Sequence, residues 1–203
     1  MPQRGNRESG AIFSDCEKYR YVLWRVWNKD LLTPNPRMVS FVGLNPSTAD
    51  EHHNDPTVTR CINYAKAWGY DGMYMLNLFA YRATDPREMK AQEYPESEPG
   101  IGRSRNYAAL RRYGTSPLSE LTVACWGVHG HIKETWNKLE EIRGFHDLIV
   151  ANQLLRGANL HALGLTKDGH PKHPLYLKSN LRPRLWYVKE GLLGNELPFT
   201  EAK

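Results

Sequence analysis

The sequence predicts an α/β fold: three layers, α/β/α, around a central, mainly parallel four-stranded sheet with added edge strands. Three observations lead there. Four short apolar runs, Met38–Gly43, Met73–Phe79, Leu121–Gly127 and Asn159–Leu165, end in glycine or give way to polar residues, as buried strands do. Segments with helical spacing lie between them, two opened by an Asp-Pro pair. Alternating strands and helices close into parallel pairs with right-handed crossovers, and 203 residues without an internal repeat or linker make one domain.

Taken in order, residues 1–15 read as a polar N-terminal arm, 16–189 as the domain and 190–203 as a tail. Tyr19–Trp27 mixes β-branched and aromatic residues with two arginines and predicts an antiparallel edge strand or hairpin arm. Thr33-Pro34-Asn35-Pro36 is a turn before the first buried run. Asp55-Pro56 caps and starts a helix whose Val58, Ile62, Ala65 and Trp68 share a face, stopped at Gly69. The second run leads to Arg82, Thr84 and Asp85, and Asp85-Pro86-Arg87-Glu88 starts another helix. Glu93–Gly102 is a surface loop, and Arg103–Tyr113 a basic helix ended by Gly114. His131–Arg143 and Phe145–Arg156 read as helices. Thr166–Tyr176 holds two His-Pro pairs and cannot be helical, and Leu185–Val188 adds an edge strand.

Charge and cysteine usage narrow the function classes. Lys and Arg number 27 against 22 Asp and Glu, a formal charge of +5 that suits a polyanionic partner. Three widely spaced cysteines, Cys16, Cys61 and Cys125, form neither a disulfide framework nor a thiolate cluster. No stretch is long and apolar enough for a bilayer, and the first ten residues lack a secretory core. A cytoplasmic monomer without membrane contact is expected. His52-His53 and His129/His131 lack a ligand spacing with acidic or thiolate partners, so neither a metal nor another cofactor is expected.

Four strand ends then converge on one rim: Asn45 after the first, Asn77 at the second, Trp126-Gly127 after the third, and His170 or His173 after the fourth. Polar groups gathered at the carboxyl edge of a parallel sheet define the default candidate site. Asp50 and Asp55 follow the first loop; Asp55 reads as the helix cap, while Asp50 is a candidate base. Lys167, Lys172, Lys178, Arg182 and Arg184 form a basic run around the His-Pro loop.

The order of motifs resembles the uracil-DNA glycosylase superfamily, with its Gly-x-Asp/Asn-Pro loop, Leu-Leu-Asn strand, Trp-Gly strand end and His-Pro-Ser-Pro-Leu loop. The counterparts are Gly43-Leu44-Asn45-Pro46, Met75-Leu76-Asn77, Trp126-Gly127 and His170-Pro171-Lys172-His173-Pro174-Leu175, together spanning roughly residues 38–177. The chain also closely resembles a bacterial and phage family of uncharacterised function marked by Leu-Asn-Pro-Ser-Thr-Ala-Asp. The first resemblance implies a monofunctional DNA glycosylase that flips a base from the duplex and leaves an abasic site without a cofactor. On it, Asn45 would place the water with Asp50 as candidate helper, and Asn77 would read the base edge. His170 or His173 would donate to the carbonyl that gathers charge; His170 is preferred because it keeps His-Pro at the front of the loop. Gly43, Leu44, Pro46, Ser47 and Trp126 would line the base pocket. Leu175 would fill the gap left by the flipped base, and Lys172, Lys167 and Arg82 would contact the DNA backbone.

Two departures carry information. Asn45 stands where uracil-specific members have aspartate, as in the mismatch-specific and thymine-DNA glycosylases, and an amide cannot accept a proton from water. Ser47 stands where uracil-specific members carry a tyrosine that blocks substituents at pyrimidine C5. The implied substrate is a 5-modified pyrimidine, such as a hypermodified phage cytosine removed in antiviral defence. The rival readings are an N-glycosidase acting on free nucleosides or nucleotides, and a non-catalytic protein that binds modified-base DNA.

Overall fold

In a computed structural model, the chain is described for residues 9–28, 36–96, 98, 104–114, 119–128 and 160–186. It is a mixed α/β protein, and its described strands form one seven-stranded sheet in the order β1-β2-β4-β3-β5-β6-β7. The strands are β1 (Gly10–Phe13), β2 (Arg20–Val26), β3 (Met38–Gly43), β4 (Gly72–Asn77), β5 (Leu121–Ala124), β6 (Leu160–Ala162) and β7 (Arg184–Leu185). The helices are α1 (Pro56–Ala67), α2 (Pro86–Lys90) and α3 (Ser104–Gly114). Strands β4, β3, β5 and β6 run parallel at the centre, whereas β1, β2 and β7 pair antiparallel at the margins. All four parallel strands therefore deliver their carboxyl ends to one edge.

The margins differ from expectation. Gly10–Phe13, placed by sequence in a polar arm, is the outermost strand, and its Gly10 lies opposite Trp24. Strand β2 is consequently interior, hydrogen-bonded on both sides, and its Arg20 and Arg25 are buried. The last described strand is Arg184–Leu185, and residues 187–188 of the strand expected over 185–188 lie outside the described residues. The helices expected at 131–143 and 145–156, His129 and His131, the turn at 33–35, residues 1–8 and the tail from 190 lie outside the described residues.

Two cores pack against opposite faces of the sheet. Helix α1 places Val58, Cys61, Tyr64 and Ala65 on Leu23, Val39, Phe41, Met73, Met75 and Val123. Its start is the expected one, with the Asp55 carboxylate accepting from Val58 N at 2.8 Å and Pro56 opening the first turn. The other face holds Met89 of α2 and Ala109, Leu110 and Tyr113 of α3 against Val42, Leu76, Ala124 and Ala162. A helix leaves its last carbonyls unpaired, and the sheet supplies donors for α3: Ser40 Oγ to Tyr113 O at 2.5 Å and Thr122 Oγ1 to Gly114 O at 2.7 Å. These bonds fix the helix end over β3 and β5, so the rim rests on a filled interior.

Candidate functional site

The loops after β3 and β4 are laced together. Leu78 N and Phe79 N donate to Gly43 O and Leu44 O at 3.0 and 2.9 Å, and Ala83 N donates to Pro46 O at 2.9 Å. The Asn45 amide completes the seam, its Nδ2 donating to Ala83 O at 2.8 Å and Pro46 O at 3.1 Å. Two carbonyl acceptors settle which end of this amide is nitrogen. Its oxygen receives no bond from any described residue and is left as the end able to hold a water or ligand proton. Ser47 Oγ and Thr84 Oγ1 meet at 3.2 Å across the same seam. Leu44 and Pro46 are buried beneath it, Leu44 in the core of the α3 face.

Asn77 ends β4 in register with Gly43, and it is only 1% exposed. Among the described residues, neither its Nδ2 nor its Oδ1 has a hydrogen-bond partner. Buried amides are nearly always bonded, since each unmade bond costs about 1–3 kcal/mol, so this one calls for an explanation. Its backbone, by contrast, is secured: Asn106 Nδ2 from α3 donates to Asn77 O at 3.2 Å and Leu78 O at 3.1 Å. Gly43 makes the approach possible. A methyl group there would lie 3.1 Å from Asn77 Oδ1 and 2.8 Å from Met75 Cε, so any larger residue crowds the amide.

The far side of the rim is built from Gly127 and the loop after β6. Gly127 turns with φ +74°, its N–H donates to Pro171 O at 2.9 Å, and a Cβ built on it would lie 3.7 Å from His173 Cβ. Glycine is needed here because side-chain-bearing residues rarely adopt that φ. Residues 164–172 fold into a hairpin, with Thr166 N to His170 O at 2.9 Å, Lys172 N to Gly164 O at 2.8 Å and a bridge from Leu165 to Pro171. His170 lies in that hairpin, its N–H donating to Thr166 Oγ1 at 3.1 Å. His173 lies beyond it and caps a 3₁₀ turn, Pro174–Tyr176, with Nδ1 accepting from Leu175 N at 3.4 Å. An acceptor at Nδ1 leaves the proton on Nε2 in the neutral ring. Burial holds the His173 pKa below its ordinary value, opposed by the Asp55 carboxylate, so the ring is a neutral Nε2–H donor.

The remaining predicted residues fall in other surroundings. The Asp50 carboxylate accepts from the N–H groups of His52 and His53 at 2.7 Å each and from His53 Nδ1 at 3.2 Å. These bonds hold its pKa well below the usual carboxylate range, which makes it a turn cap and a weak base. Trp126 is 1% exposed and packs edge-on against Trp186 at 5.4 Å, within the core of the α3 face. Arg82 lies over the Phe13 ring at 4.8 Å and donates to Glu17 O at 3.0 Å, an anchor for the turn after β1. Lys167 and Lys172 are exposed, the first at the hairpin tip, and Leu175 is half-buried.

Two arginines of the predicted edge strand or hairpin arm support the loop from beneath. Arg20 is 1% exposed and donates to Ala49 O at 2.9 Å, while burial pushes its pKa down to about 10 against the pull of Asp55. Arg25 donates to Asp50 O at 2.5 Å, His53 O at 3.2 Å and Asn54 Oδ1 at 2.8 Å, pinning residues 50–54. The signal was available: cations inside a strand otherwise made of buried apolar residues need carbonyl acceptors nearby. Among the described residues no group of three or more His, Cys, Asp or Glu is gathered around a common point, and no helix is long and apolar enough to cross a membrane.

Fold and rim together define an α/β protein whose candidate site is assembled from loops at the carboxyl ends of parallel strands. The chain matches the family model described as Protein of unknown function (DUF1643) over residues 20–175, and it belongs to that family. The matched span runs from β2 to Leu175 and so contains Asn45, Asn77, Gly127 and His173. No curated protein and no solved structure matches the chain.

Proposed function

We propose that the protein is a monofunctional DNA glycosylase of uracil-DNA glycosylase type, hydrolysing the N-glycosidic bond of an extruded, 5-substituted pyrimidine. The observation that carries this reading is Asn77: a buried amide at a strand end whose donor and acceptor are both unmet. A pyrimidine edge offers an adjacent acceptor and donor, which is the complement of an amide. The four parallel strands and the order of their loops support the three-layer arrangement implied by the resemblance.

Each group then has one task. Asn45 Oδ1 accepts a hydrogen bond from the attacking water and orients its oxygen toward the anomeric carbon, without taking the proton. As the bond from that carbon to the base nitrogen breaks, its electron pair passes to the base and charge collects on the ring carbonyl. The neutral His173 Nε2–H donates to that oxygen, a contribution of about 2.7–4 kcal/mol if it matches a single preorganised oxyanion donor. The water adds to the sugar cation and loses its proton to solvent. We assign this part to His173 in preference to His170, because His173 is the one seated against Gly127 with its tautomer fixed. Asp50 receives no chemical part, since its oxygens already cap a turn. Ser47 and Thr84 leave the side of the pocket nearest pyrimidine C5 lined by small hydroxyl groups, which favours a modified base and a role in defence against phages that carry one.

The test is incubation with DNAs containing uracil, thymine mismatches or 5-modified cytosines, and with hypermodified phage DNA, followed by alkaline cleavage at abasic sites. One of these is cut by the wild type and none by Asn45→Ala. Survival of every substrate overturns the reading. Release of base from free nucleosides with no dependence on duplex or salt supports a nucleoside enzyme instead.

A further inference from the structure

We propose that Tyr176 is a nucleobase-stacking contact which seats DNA over the rim, with Lys172 and Lys178 on the flanking phosphates; this rests on the reading above for the presence of DNA. Tyr176 is 86% exposed, the highest value among the exposed large hydrophobic residues described, with Leu185 next at 52%. An aromatic ring in water is unremarkable on a loose loop, but this one stands on an anchored support. Pro174 opens the turn that carries it, His173 caps that turn, and Leu177 N closes it on Pro174 O at 3.2 Å. Immediately beyond, two α1 side chains and Trp68 at its end hold the backbone: Arg60 donates to Leu177 O, Tyr64 Oη to Lys178 O at 2.5 Å, and Trp68 Nε1 to Leu181 O at 3.0 Å. The ring is therefore presented outward on fixed backbone, with little flexibility left to lose when it meets a flat partner.

Its position and surroundings name the partner. The Tyr176 and His173 rings lie 6.0 Å apart, so the exposed face borders the candidate site directly. Between Gly169 and Lys189 the sequence contains no acidic residue, and the described side chains of Lys172, Lys178, Arg182 and Arg184 are exposed. An exposed aromatic ring flanked by cations matches the alternating bases and phosphates of a nucleic acid. Leu175, which the resemblance puts in the vacated base position, is half-buried, and its N–H is engaged by His173. Tyr176 is the side chain free to reach a base.

The experiment measures binding of the full chain to a duplex bearing a tetrahydrofuran abasic analogue beside a 2-aminopurine, and to the intact duplex. Stacking quenches 2-aminopurine, so the readout reports the ring as well as affinity. Tyr176→Ala is expected to bind about 5-fold to about 150-fold more weakly and to lose the quench, the range seen when a stacking aromatic is removed. Tyr176→Phe and Tyr176→Trp keep both, because the ring and not the hydroxyl makes the contact. All variants melt like the wild type, since the side chain is in solvent. Wild-type affinity and quench in Tyr176→Ala overturn the proposal, as does a wild type that binds no DNA. If no base is ever released while binding still depends on Tyr176, the glycosylase reading falls and the stacking contact stands. If base is released and Tyr176→Ala behaves as wild type, the reverse holds.

Discussion

Replacing Asn77 by leucine should make the protein more stable and destroy its activity. Leucine has the same branching and number of heavy atoms as asparagine, so the exchange mainly removes two polar ends that the fold leaves unbonded at 1% exposure. Those ends cost about 1–3 kcal/mol each while unmet. Leucine is bulkier than the amide, and crowding in the filled space beside Gly43 returns about 1–3 kcal/mol of that gain. At the middle of these ranges, about 4 kcal/mol gained against about 2 kcal/mol returned leaves a rise of about 2 kcal/mol, or a Tm higher by about 6 °C for a domain of this size. Asn106→Leu is the contrasting control. It removes one unmet oxygen as well, but it strips the donor from both Asn77 O and Leu78 O and should lower stability by about 1–3 kcal/mol. Both variants are measured by urea and thermal unfolding, beside product formation on the preferred DNA. A loss of stability in Asn77→Leu comparable to that of Asn106→Leu would refute the claim that the amide is held unsatisfied for a ligand.

Asn45→Asp is not conservative, because a carboxylate would face the carbonyls of Pro46 and Ala83 where the amide now donates. It should cost about 1–3 kcal/mol at pH 7 and recover as acid restores a proton, read from unfolding at pH 7 and pH 5. His173 has a lowered pKa, so the unfolded chain binds the extra proton first. Stability from this residue is complete above the ordinary value of about 6.5 and is lost as pH falls from there through the folded value. Activity follows the neutral ring and declines on the same acid side; an NMR titration of wild type against His173→Gln checks the assignment. Asp50→Asn should leave product formation within about two-fold, whereas loss of a general base would cost about 10²–10⁴-fold.

Much of the fold was legible because it is written in local chemistry. Asp55-Pro56 and Asp85-Pro86 announce α1 and α2, and both carboxylates accept from the second or third N–H of their helices. The four central strands are predominantly apolar runs, as befits a sheet covered on both faces, and the buried hydroxyls of Ser40 and Thr122 within them are bonded to the end of α3. Strand β1 escaped detection because four residues with a leading glycine carry no periodicity, and of the two readings of its partner, edge strand or hairpin arm, the antiparallel pairing bears out the second. The site divides in the same way. Asn45 and Asn77 follow from strand ends, but the choice between His170 and His173 depends on a hairpin closed by backbone bonds, and side-chain identity does not encode it. Asp50 offered a carboxylate in a loop; which donors surround it depends on how that loop turns.

The three bonds from Arg60, Tyr64 and Trp68 reach across more than a hundred residues of sequence to hold the segment that carries His173. Asn45 and Asn77 are translated early, His173 late, and the helix that receives the late segment is already made before it emerges. A growing chain thus carries the receiving helix before it carries the complete rim. The rim is complete only when the segment beyond β6 docks on α1, so a chain cut short of it would hold both asparagines and lack the histidine.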